Sequence, residues 1–371
     1  MDQLRVLVVN AGSSSLKVSL VGADDTELAS HEFKASAGRF KKAELETAIT
    51  GIKEGIGVDA VGHRVVHGGP RHSASVRVDA KVVAYLHSIE DLAPLHMPAA
   101  ISAIQAVRKL LPRAPAVACF DTSFHSGMPP AAATYAIPAK WRQRHRIRRY
   151  GFHGFSHAYA ARRAAELLGR PLSELRVVTC HLGSGASLAA VHGGRSVDTT
   201  MGFTPLEGLV MATRSGSVDP GLMLWLQRHE RVTERELTEA LDGRSGLLGL
   251  AGTKDMREVE ERMSSGDERA RLAFDVYIHR LRACIASMAA AMGGLDAIVF
   301  TGGVGENSAS VRREAVAGLR FLGAELDAGH NTGISGDGDV SSSAAKVRTL
   351  VVHARENVEV ARNVRRLLSG D

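Results

Sequence analysis

Three glycine-rich turns in this 371-residue sequence could hold a phosphate group through their backbone. They lie at residues 12–15, 183–186 and 302–307. Glycine lets the backbone approach a ligand closely, and successive N–H groups can form a nest that binds anions. Any one of these turns could equally be a plain hairpin. Because three occur, each with polar residues just beyond it, the sequence favours a phosphate-rich ligand.

Two common nucleotide-binding motifs are missing from the sequence. It holds no G-x-x-x-x-G-K-[ST] pattern and no complete G-x-G-x-x-G pattern. The protein is therefore not a P-loop enzyme, and it lacks the glycine signature of dinucleotide-binding domains and protein kinases.

Arginine and histidine gather beside small residues in several short segments. These segments are GHRVVHGG (62–69), LAPLHMP (92–98), FDTSFH (120–125), YGFHGFSH (150–157) and TRSGS (213–217). A single His is usually a hydrogen-bonded structural residue, and a single Arg is usually a surface charge. His153 and His157 have a spacing that zinc ligands use, but the Glu of H-E-x-x-H is missing and Gly154 weakens a helix there. A zinc site is therefore disfavoured.

The elements that must position these residues alternate between strand and helix. Residues 5–20 read as a strand, a tight turn and a second strand. Further strands are predicted at 117–120, 297–301 and 347–352, and helices at 99–111, 156–168, 233–241, 268–292 and 357–368, with a surface loop at 333–345. Such alternation predicts an α/β fold with layered sheets.

A weak internal repeat suggests that the fold is duplicated. RVLVVNAGSSSLKVSL at 5–20 aligns without gaps with RVVTCHLGSGASLAAV at 176–191, so that Arg5 matches Arg176 and Gly12 matches Gly183. A strand, a Gly-Ser turn and a strand can recur by chance. The separation of about half the chain nevertheless predicts two related domains, each opening with a phosphate-sized turn.

Length and composition agree with two globular domains. A chain of 371 residues exceeds the size at which one core stops growing, and 44% hydrophobic with 23% charged residues is ordinary for a globular protein. Asp2 and the short apolar run 6–9 do not fit a secretory signal. The apolar stretch 284–300 is broken by Gly293, Gly294 and Asp296, so it predicts a buried helix and a strand, not a membrane span.

Cysteine spacing and local charge bear on the cellular compartment and on nucleic acid as a partner. Cys119, Cys180 and Cys284 are widely spaced and outside any C-x-x-C pattern, which favours a reducing cytoplasm. Much of the net charge of +6 lies in the five arginines between 142 and 149. Only Trp141 and Tyr150 flank this run, so a solvated basic face is favoured over a nucleic-acid surface.

Eight segments in order resemble the acetate kinases over nearly the whole chain. They are NAGSSSLK, GHRVVHGG, LAPLHMP, FDTSFH, YGFHGFSH, HLGSG, MGFTPLEGL and GGVGENS. The resemblance implies the fold shared by sugar kinases, actin and the heat-shock ATPase chaperones, in which two duplicated ribonuclease H-like α/β domains flank a nucleotide cleft. It also implies reversible, Mg²⁺-dependent, direct in-line transfer of the γ-phosphoryl group of ATP to acetate, which gives acetyl phosphate and ADP.

The resemblance implies a role for each matching residue. Arg64 would hold the carboxylate or its phosphoryl group, while Arg214 and His153 would stabilise the group in transfer. Asp121 would be the essential carboxylate near the metal. Asn10 and Glu356 would hold Mg²⁺, which Mn²⁺ can replace. The pocket for the acetate methyl group would be formed by Val66, Leu95, Phe152 and Pro205. The ATP contacts would be Ser13, Ser15, Lys17, His181, Leu182, Gly183, Ser184, Gly185, Asp255, Met256, Arg257, Gly303, Val304, Gly305, Glu306 and Asn307.

Elementary chemistry is consistent with these roles. Phosphoryl transfer depends on positioning and on cations around the equatorial oxygens, and Arg provides bidentate contacts that Lys cannot copy. A carboxylate acceptor with a pKa of about 4 is already ionised at neutral pH, so it needs no general base. We therefore expect Asp121 to organise its neighbours more than to abstract a proton.

The resemblance also implies an organisation for the whole molecule. Domain I would comprise residues 1–121 with 358–371, and domain II, which binds the nucleotide, residues 125–355. The protein would be a cytoplasmic homodimer, joined through domain II. Its partners would be acetate or acetyl phosphate and ATP or ADP, without nucleic acid or membrane.

The sequence departs from the family pattern at a few positions. Ser184 stands where Asn is usual, Arg355 where Asn precedes the glutamate, and Gly302 where Ala is common. The stretch AGTKDMR is one residue shorter than usual, and residues 23–57 are abbreviated. Ser184 and Arg355 could alter nucleotide preference or metal affinity, but no charged residue of the catalytic set is lost.

Three alternatives remain at this point. A propionate or butyrate kinase would differ only in the acceptor pocket, where one methylene is worth about 1–3 kcal/mol. A sugar or polyol kinase would need a wider polar pocket than Val66, Leu95, Phe152 and Pro205 provide. A catalytically silent actin-like nucleotide-binding module would not need Arg64, Asp121, His153, Arg214 and Glu356 together.

Overall fold

A computed structural model describes residues 4–12, 15–34, 40–94 and 96–370. Two residues with predicted roles, Ser13 and Leu95, lie outside the described residues. The chain divides into two compact units. Unit 1 comprises Met1–Ser126, Phe152–Tyr159 and Arg355–Asp371, and unit 2 comprises Gly127–Gly151 and Ala160–Ala354. The boundaries predicted for domains I and II stay a prediction.

Twelve strands are present among the described residues. Those of unit 1 are β1 (Val6–Ala11), β2 (Ser15–Val21), β3 (Glu27–Lys34), β4 (Ala60–Val65), β5 (Val76–Arg77) and β6 (Ala116–Phe120). Those of unit 2 are β7 (Arg176–Leu182), β8 (Ala186–His192), β9 (Arg195–Thr199), β10 (Ala297–Thr301), β11 (Gly338–Asp339) and β12 (Arg348–Val351).

The α-helices connect and cover these strands. In chain order, the described helices are α1 (Lys42–Gly55), α2 (Ala80–His87), α3 (Met97–Leu110), α4 (Pro130–Ala133), α5 (Ala139–His145), α6 (Gly154–Leu168), α7 (Pro220–His229), α8 (Glu234–Gly243), α9 (Gly246–Ala251), α10 (Met256–Ser264), α11 (Glu268–Ala291), α12 (Gly302–Asn307), α13 (Ala309–Ala317), α14 (Ala328–Gly333) and α15 (Glu356–Ser369). None of them is both long enough and apolar enough to be a membrane span.

The two sheets repeat one topology. Their strand orders are β3-β2-β1-β4-β6-β5 and β9-β8-β7-β10-β12-β11. In each sheet the first three strands form an antiparallel meander, and the first strand also pairs in parallel with the next long strand. A third long strand extends the parallel part. This arrangement confirms the predicted duplicated α/β fold.

An arginine–aspartate joint is repeated at the start of both sheets. Arg5 donates from its backbone N–H and its Nε to Asp59, and Arg176 makes the same two bonds to Asp296. In return, the N–H of each aspartate donates to the carbonyl of its arginine, at 3.1 and 2.8 Å respectively. The joint therefore closes the first parallel strand pair in each unit, and it supports the alignment of Arg5 with Arg176.

The central strands β1 and β4 of the unit 1 sheet are buried on both faces. On β1, Leu7 and Val9 belong to the core cluster that includes residues of α1 and α3, whereas Val6 and Val8 pack with residues of α15. Side chains alternate between the faces of a strand. The two faces of β1 and β4 therefore have different neighbours, and the α15 face is the one that leads to the candidate site.

Candidate functional site

Four residues with predicted roles meet at the carboxyl end of the unit 1 sheet. Asn10 on β1 and Arg64 on β4 are register partners in a parallel pair, and Asp121 directly follows β6. Counting in steps of two from Val8, Gly62 and Cys119 places all three on the α15 face. Glu356 begins α15. These four residues, Asn10, Arg64, Asp121 and Glu356, form the Arg64 cluster.

The Arg64 guanidinium is held in a fixed orientation. Its Nε and Nη2 donate to the two carboxylate oxygens of Asp121 at 2.8 and 2.6 Å, and its Nη1 donates to Asn10 Oδ1 at 3.0 Å. Glu356 Oε2 lies 3.5 Å from Arg64 Nε. Burial would lower the pKa of Arg64, but the charges of Asp121 and Glu356 and the Asp121 hydrogen bonds outweigh burial and raise it. Arg64 is therefore a permanent cation.

The Arg64 guanidinium has two N–H groups that its bonds to Asp121 and Asn10 do not use. An arginine carries five N–H donors, and the bonds to Asp121 and Asn10 use three of them. One N–H on each of Nη1 and Nη2 remains, and together they form the end-on fork that binds a carboxylate or phosphate in bidentate fashion. With its side chain 15% exposed, Arg64 can present this fork to an anionic ligand.

The oxygen donors of the Arg64 cluster fit a hard divalent cation. Asn10 and Glu356 offer amide and carboxylate oxygens, and two carboxylates beside one guanidinium leave one net negative charge. No group of three His, Cys, Asp or Glu residues that could hold a metal occurs among the described residues. Mg²⁺ typically uses one or two carboxylates together with water and substrate phosphates, so this sparse donor set suits Mg²⁺ better than zinc.

His153 directly precedes α6 and carries backbone strain. Its φ is +55°, in the left-handed region that non-glycine residues rarely adopt. The next residue must be glycine, because a Cβ on Gly154 would lie 2.1 Å from the Asp121 carbonyl oxygen. The start of α6 is therefore pressed against the turn that carries Asp121. Strain of this kind is common where a side chain must be aimed at a ligand.

Buried imidazoles surround this turn. The His125 ring contacts that of His157 at 5.6 Å, and the His153 and His157 rings are 6.4 Å apart. His125 Nε2 also lies 3.0 Å from the Phe152 carbonyl oxygen. Burial lowers the pKa of His125 to about 4, partly opposed by that contact. His125 is therefore neutral at physiological pH.

The predicted acetate pocket is described only in part. Phe152 is 1% exposed and its ring contacts His67, the neighbour of buried Val66. Pro205 belongs to unit 2, where its carbonyl oxygen accepts a hydrogen bond from Arg214 Nη1 at 3.2 Å. The structure therefore brings Pro205 to Arg214 and leaves Val66 and Phe152 in unit 1.

Arg214 lacks a carboxylate partner among the described residues. Its Nη1 contacts are the Pro205 carbonyl and the Met211 sulfur at 3.9 Å. Burial lowers the pKa of Arg214, and the more distant charge of Asp242 opposes this. A partly buried cation beside neutral acceptors gains from an anionic ligand.

The predicted ATP contacts of unit 2 gather at one edge of its sheet. The turn 183–185 follows β7. The segment 302–307, predicted as a glycine-rich turn and still called the turn 302–307 below, forms the short helix α12 directly after β10. The strands β7 and β10 are parallel neighbours, with His181 opposite Thr301. Gly302 has φ +78°, and a Cβ there would lie 2.9 Å from the Leu182 carbonyl oxygen. The turn 302–307 therefore begins against the last residue of β7, directly before the turn 183–185.

A third predicted segment, 255–257, joins the same neighbourhood through α10. Asp255 caps this helix by accepting from the Arg257 N–H at 3.0 Å. One turn further, Glu260 accepts a hydrogen bond from Ser308, the residue that follows the turn 302–307. In unit 1, Lys17 is the register partner of Asn10 and lies 3.5 Å from Glu27, while the Ser15 carbonyl accepts from the Gly12 N–H.

Sequence reasoning missed the residues that support the segment 200–207, which precedes Arg214 in the chain. Tyr135 and Arg149 both donate to Glu207, and Arg149 also donates to the Thr200 and Met201 carbonyls. The Glu of MGFTPLEGL was the available signal, since a charged residue in an otherwise apolar motif needs a partner. Arg149 is therefore a structural residue, not part of a free basic face.

The duplicated topology and the paired glycine-rich turns at strand ends define a class of protein, the actin-like ATPases with two related α/β domains. Comparison with known proteins narrows this class. The sequence profile described as "Acetokinase family" matches residues 34–362. Acetate kinases from Gloeobacter violaceus and Streptomyces coelicolor are 44% and 45% identical, over 97% and 100% of this chain and 98% of each relative.

Solved structures give the same result. The crystal structure of Porphyromonas gingivalis acetate kinase matches with a TM-score of 0.89 and 36% identity, covering 98% of this chain and 100% of that one. The structure of a propionate kinase from Francisella tularensis matches with a TM-score of 0.90 and 36% identity, covering 97% and 98%. The chain belongs to the acetokinase family.

Proposed function

We propose that the protein is an acetate kinase that transfers the γ-phosphoryl group of ATP reversibly and directly to acetate, giving acetyl phosphate and ADP. The observation that carries this proposal is the guanidinium of Arg64, held by Asp121 and Asn10 so that two N–H groups form a free outer fork. A fork of this shape suits a short carboxylate and the acyl phosphate made from it. Membership of the acetokinase family supports the same reaction.

Each of the residues with a predicted site role has a part in the proposed reaction. Arg64 binds and orients the carboxylate, and Asp121 keeps the guanidinium in place. Arg214 and His153 stabilise charge on the phosphoryl group in transfer. The residues predicted to contact ATP in the turns 183–185 and 302–307 hold the nucleotide by their backbone. No proton has to leave the acceptor, because acetate is ionised at neutral pH.

The proposal includes Mg²⁺ with Asn10 and Glu356 as its protein ligands, and Mn²⁺ as a substitute. When bound, the ion would neutralise phosphate charge and help to orient the phosphates. The cluster's oxygen donors and its net negative charge support this assignment.

The acyl chain accepted is a separate part of the proposal. We favour acetate as the acceptor. A longer acyl chain is the alternative, because a propionate kinase structure matches with a TM-score similar to that of the acetate kinase structure. Pocket volume decides between them, and each added methylene changes binding by about 1–3 kcal/mol.

We also propose a cytoplasmic homodimer that assembles through unit 2. Helix α7 leaves large apolar side chains in solvent, with Leu222 45%, Leu224 53% and Trp225 49% exposed. Apolar surface of this kind favours association with another protein surface. The three cysteines are free, which suits a reducing compartment. Neither nucleic acid nor membrane is a proposed partner, and Arg142 and Arg149 are occupied by internal hydrogen bonds.

The test is ATP-dependent formation of acyl phosphate, trapped with hydroxylamine, with acetate, propionate and butyrate in the presence of Mg²⁺. We expect the highest kcat/KM with acetate and its loss in Arg64→Ala. A preference for propionate or butyrate would keep the reaction and change the acceptor. ATP binding without turnover of any acid would contradict the proposal and favour a silent nucleotide-binding module.

A further inference from the structure

Glu306 of the GGVGENS segment uses its carboxylate inside unit 2. Its Oε1 accepts the N–H of Gly302 at 2.8 Å and the N–H of Ala354 at 2.9 Å. The side chain is 13% exposed. One carboxylate oxygen thus bridges the first residue of the turn 302–307 and the last residue of unit 2. The Ala354 contact shows that Glu306 does more than shape its own turn.

The segment that ends at Ala354, here called the exit segment (352–354), is held by successive backbone bonds. The N–H of Val352 donates to the Phe300 carbonyl at 3.0 Å, and that of His353 donates to Asp337 Oδ1 at 2.9 Å. The His353 ring lies 3.4 Å from Asp337 and 3.8 Å from Glu306. Two carboxylates therefore fix the exit segment, and only that of Glu306 belongs to the turn 302–307.

The turn 302–307 is anchored on its other side by Arg312. This buried guanidinium donates from Nη1 to the carbonyls of Gly305 and Glu306 at 2.9 and 2.8 Å, and from Nε to Asn331 Oδ1 at 2.7 Å. Arg312 is 1% exposed. With its far end fixed by Arg312, the turn has little freedom to change without moving the Glu306 carboxylate.

We propose that Glu306 is a positioning residue that couples the turn 302–307 to the exit segment. The inference rests on the proposed function, in which nucleotide binds against this turn and Glu356 serves the metal. Only Arg355 separates Ala354 from Glu356 in the sequence. Nucleotide that orders the turn thereby orders the exit segment as well. The path of the chain to Glu356 therefore depends on the Glu306 carboxylate, which binds neither the metal nor the acceptor.

Hydrogen exchange tests this coupling without turnover. Peptides covering 302–307 and 350–356 are followed with and without ADP, in the wild-type chain, Glu306→Ala and Glu306→Gln. We expect ADP to slow exchange in both peptides of the wild type, but only in 302–307 of Glu306→Ala. The Ala354 amide should exchange at least about 10-fold faster in Glu306→Ala, because a lost acceptor leaves its N–H unpaired. Glu306→Gln keeps an acceptor oxygen and should retain most of the coupling.

Kinetics provide a second readout. Glu306→Ala should raise both the KM for ATP and the Mg²⁺ concentration at half-maximal rate by about 5- to 10-fold, whereas Glu306→Gln should stay within about 3-fold. The matched control is Glu325→Ala, a half-exposed glutamate of unit 2 that accepts from Ser342. It should change neither value.

The outcomes separate this inference from the proposed function. The coupling would be overturned if ADP protected 350–356 equally in the wild type and in Glu306→Ala. It would also be overturned if Glu306→Ala raised the KM for ATP but not the Mg²⁺ concentration at half-maximal rate. Failure of the wild type to form acyl phosphate would overturn the proposed function, while exchange at Gly302 and Ala354 would still report on the bridge. If Glu306→Ala does not fold, Glu306→Asp replaces it, since the shorter side chain cannot span both N–H groups.

Discussion

Arg64 and Arg214 are held in different ways, and the difference sets their chemistry. Arg64 is clamped by Asp121 and Asn10, which fixes the direction of its outer fork. Among the described residues, the Arg214 side chain donates only to neutral groups, the Pro205 carbonyl and the Met211 sulfur. A clamped guanidinium can select a planar anion by shape, whereas one among neutral acceptors responds mainly to charge. This difference supports the proposed roles, acceptor recognition for Arg64 and charge stabilisation for Arg214.

Arg214→Ala should lower the rate of acyl phosphate formation by about 100- to 1000-fold, because one preorganised cation is removed from the phosphoryl group in transfer. ATP binding measured by calorimetry should change much less. Arg144→Ala, at an exposed position of α5, is the control and should keep the wild-type rate. A rate for Arg214→Ala within about 3-fold of the wild type would remove Arg214 from the catalytic set.

Asp121→Asn tests whether this carboxylate is a base or an organiser. In the wild type the rate of acetate phosphorylation should be nearly flat between about pH 6 and 8, because the acceptor is ionised throughout. Asp121→Asn should lower the rate by a similar factor at every pH, since Arg64 loses its bidentate partner. An acidic limb in the wild-type profile that vanishes in Asp121→Asn, with Mg²⁺ affinity unchanged, would instead identify a general base.

At the scale of elements, β4 shows how one strand serves two purposes. Gly62 and Arg64 face α15 and the candidate site, whereas Val61 and His63 occupy the opposite face, where Val61 joins the cluster of α1 and α3. A Cβ on Gly62 would lie 2.8 Å from methyl carbons of both Val360 and Val364. The glycine thus lets α15 lie close to the sheet, which in turn sets where Glu356 begins the helix.

Gly62→Val should therefore destabilise the protein by about 1–3 kcal/mol through overpacking between β4 and α15. The measurement is urea unfolding monitored by circular dichroism. Gly51→Ala is the matched control, because nothing lies within 4 Å of the added Cβ in the middle of α1, and it should stabilise the protein by about 0.4–1 kcal/mol. Equal stability of Gly62→Val and the wild type would refute the close-packing explanation.

His63 should make the fold sensitive to acid. Burial, together with the charge of Arg108, lowers its pKa to about 3. Neither ring nitrogen has a hydrogen-bond partner within the described part of the chain. The neutral form is thus favoured in the folded state, and the unfolded state binds more protons below pH 6.5. Stability should fall as pH drops from about 6.5 toward 3, by up to about 1.4 kcal/mol per pH unit for this group.

The control for His63 is His63→Leu, which removes the titrating group and keeps an apolar side chain. Its free energy of unfolding should fall less steeply below pH 6.5 than that of the wild type. His67 and His125, whose pKa values burial lowers to about 4, should keep part of the slope. Identical slopes for both proteins would show that His63 is not protonated on unfolding.

Sequence reasoning predicted elements better than it predicted partners. The strand predicted at 297–301 coincides with β10, and the helix predicted at 357–368 lies within α15. The loop predicted at 333–345 contains the short strand β11, whose pairing with β12 no local pattern could show. The support from Tyr135 and Arg149 to Glu207 joins residues 72 and 58 positions apart, and spacing carries no signal over such distances. The predicted catalytic and binding roles themselves stay predictions.

At the scale of the whole molecule, the two units share a topology but carry different groups at the same sheet edge. Unit 1 places charged side chains there, in the Arg64 cluster, whereas unit 2 places the glycine-rich turns 183–185 and 302–307. In the proposed reaction, the duplicated framework thus carries two chemistries, one for an anionic acceptor and one for a nucleotide. The shared arginine–aspartate joint, Arg5 with Asp59 and Arg176 with Asp296, remains as the common structural part.

The proposed homodimer should depend on the apolar surface of α7. Leu224→Glu, combined with Trp225→Ala, should convert a dimer into a monomer, because it places a charge and removes an aromatic side chain in the centre of the exposed set. Size-exclusion chromatography with light scattering measures the result. Leu272→Glu, on α11 and 58% exposed, is the comparison that shows whether the interface is confined to α7. A double variant that stays dimeric would exclude α7 from the interface.

The position of α15 after unit 2 in chain order has a consequence for biosynthesis. Its residues Val360, Ala361 and Val364 cover the face of the unit 1 sheet formed by Val6 and Val8. During translation that sheet face is made before unit 2, and its cover is made after unit 2. Unit 2 can begin to fold in the interval, whereas the newborn unit 1 must keep an apolar surface out of contact with other chains until α15 has been made.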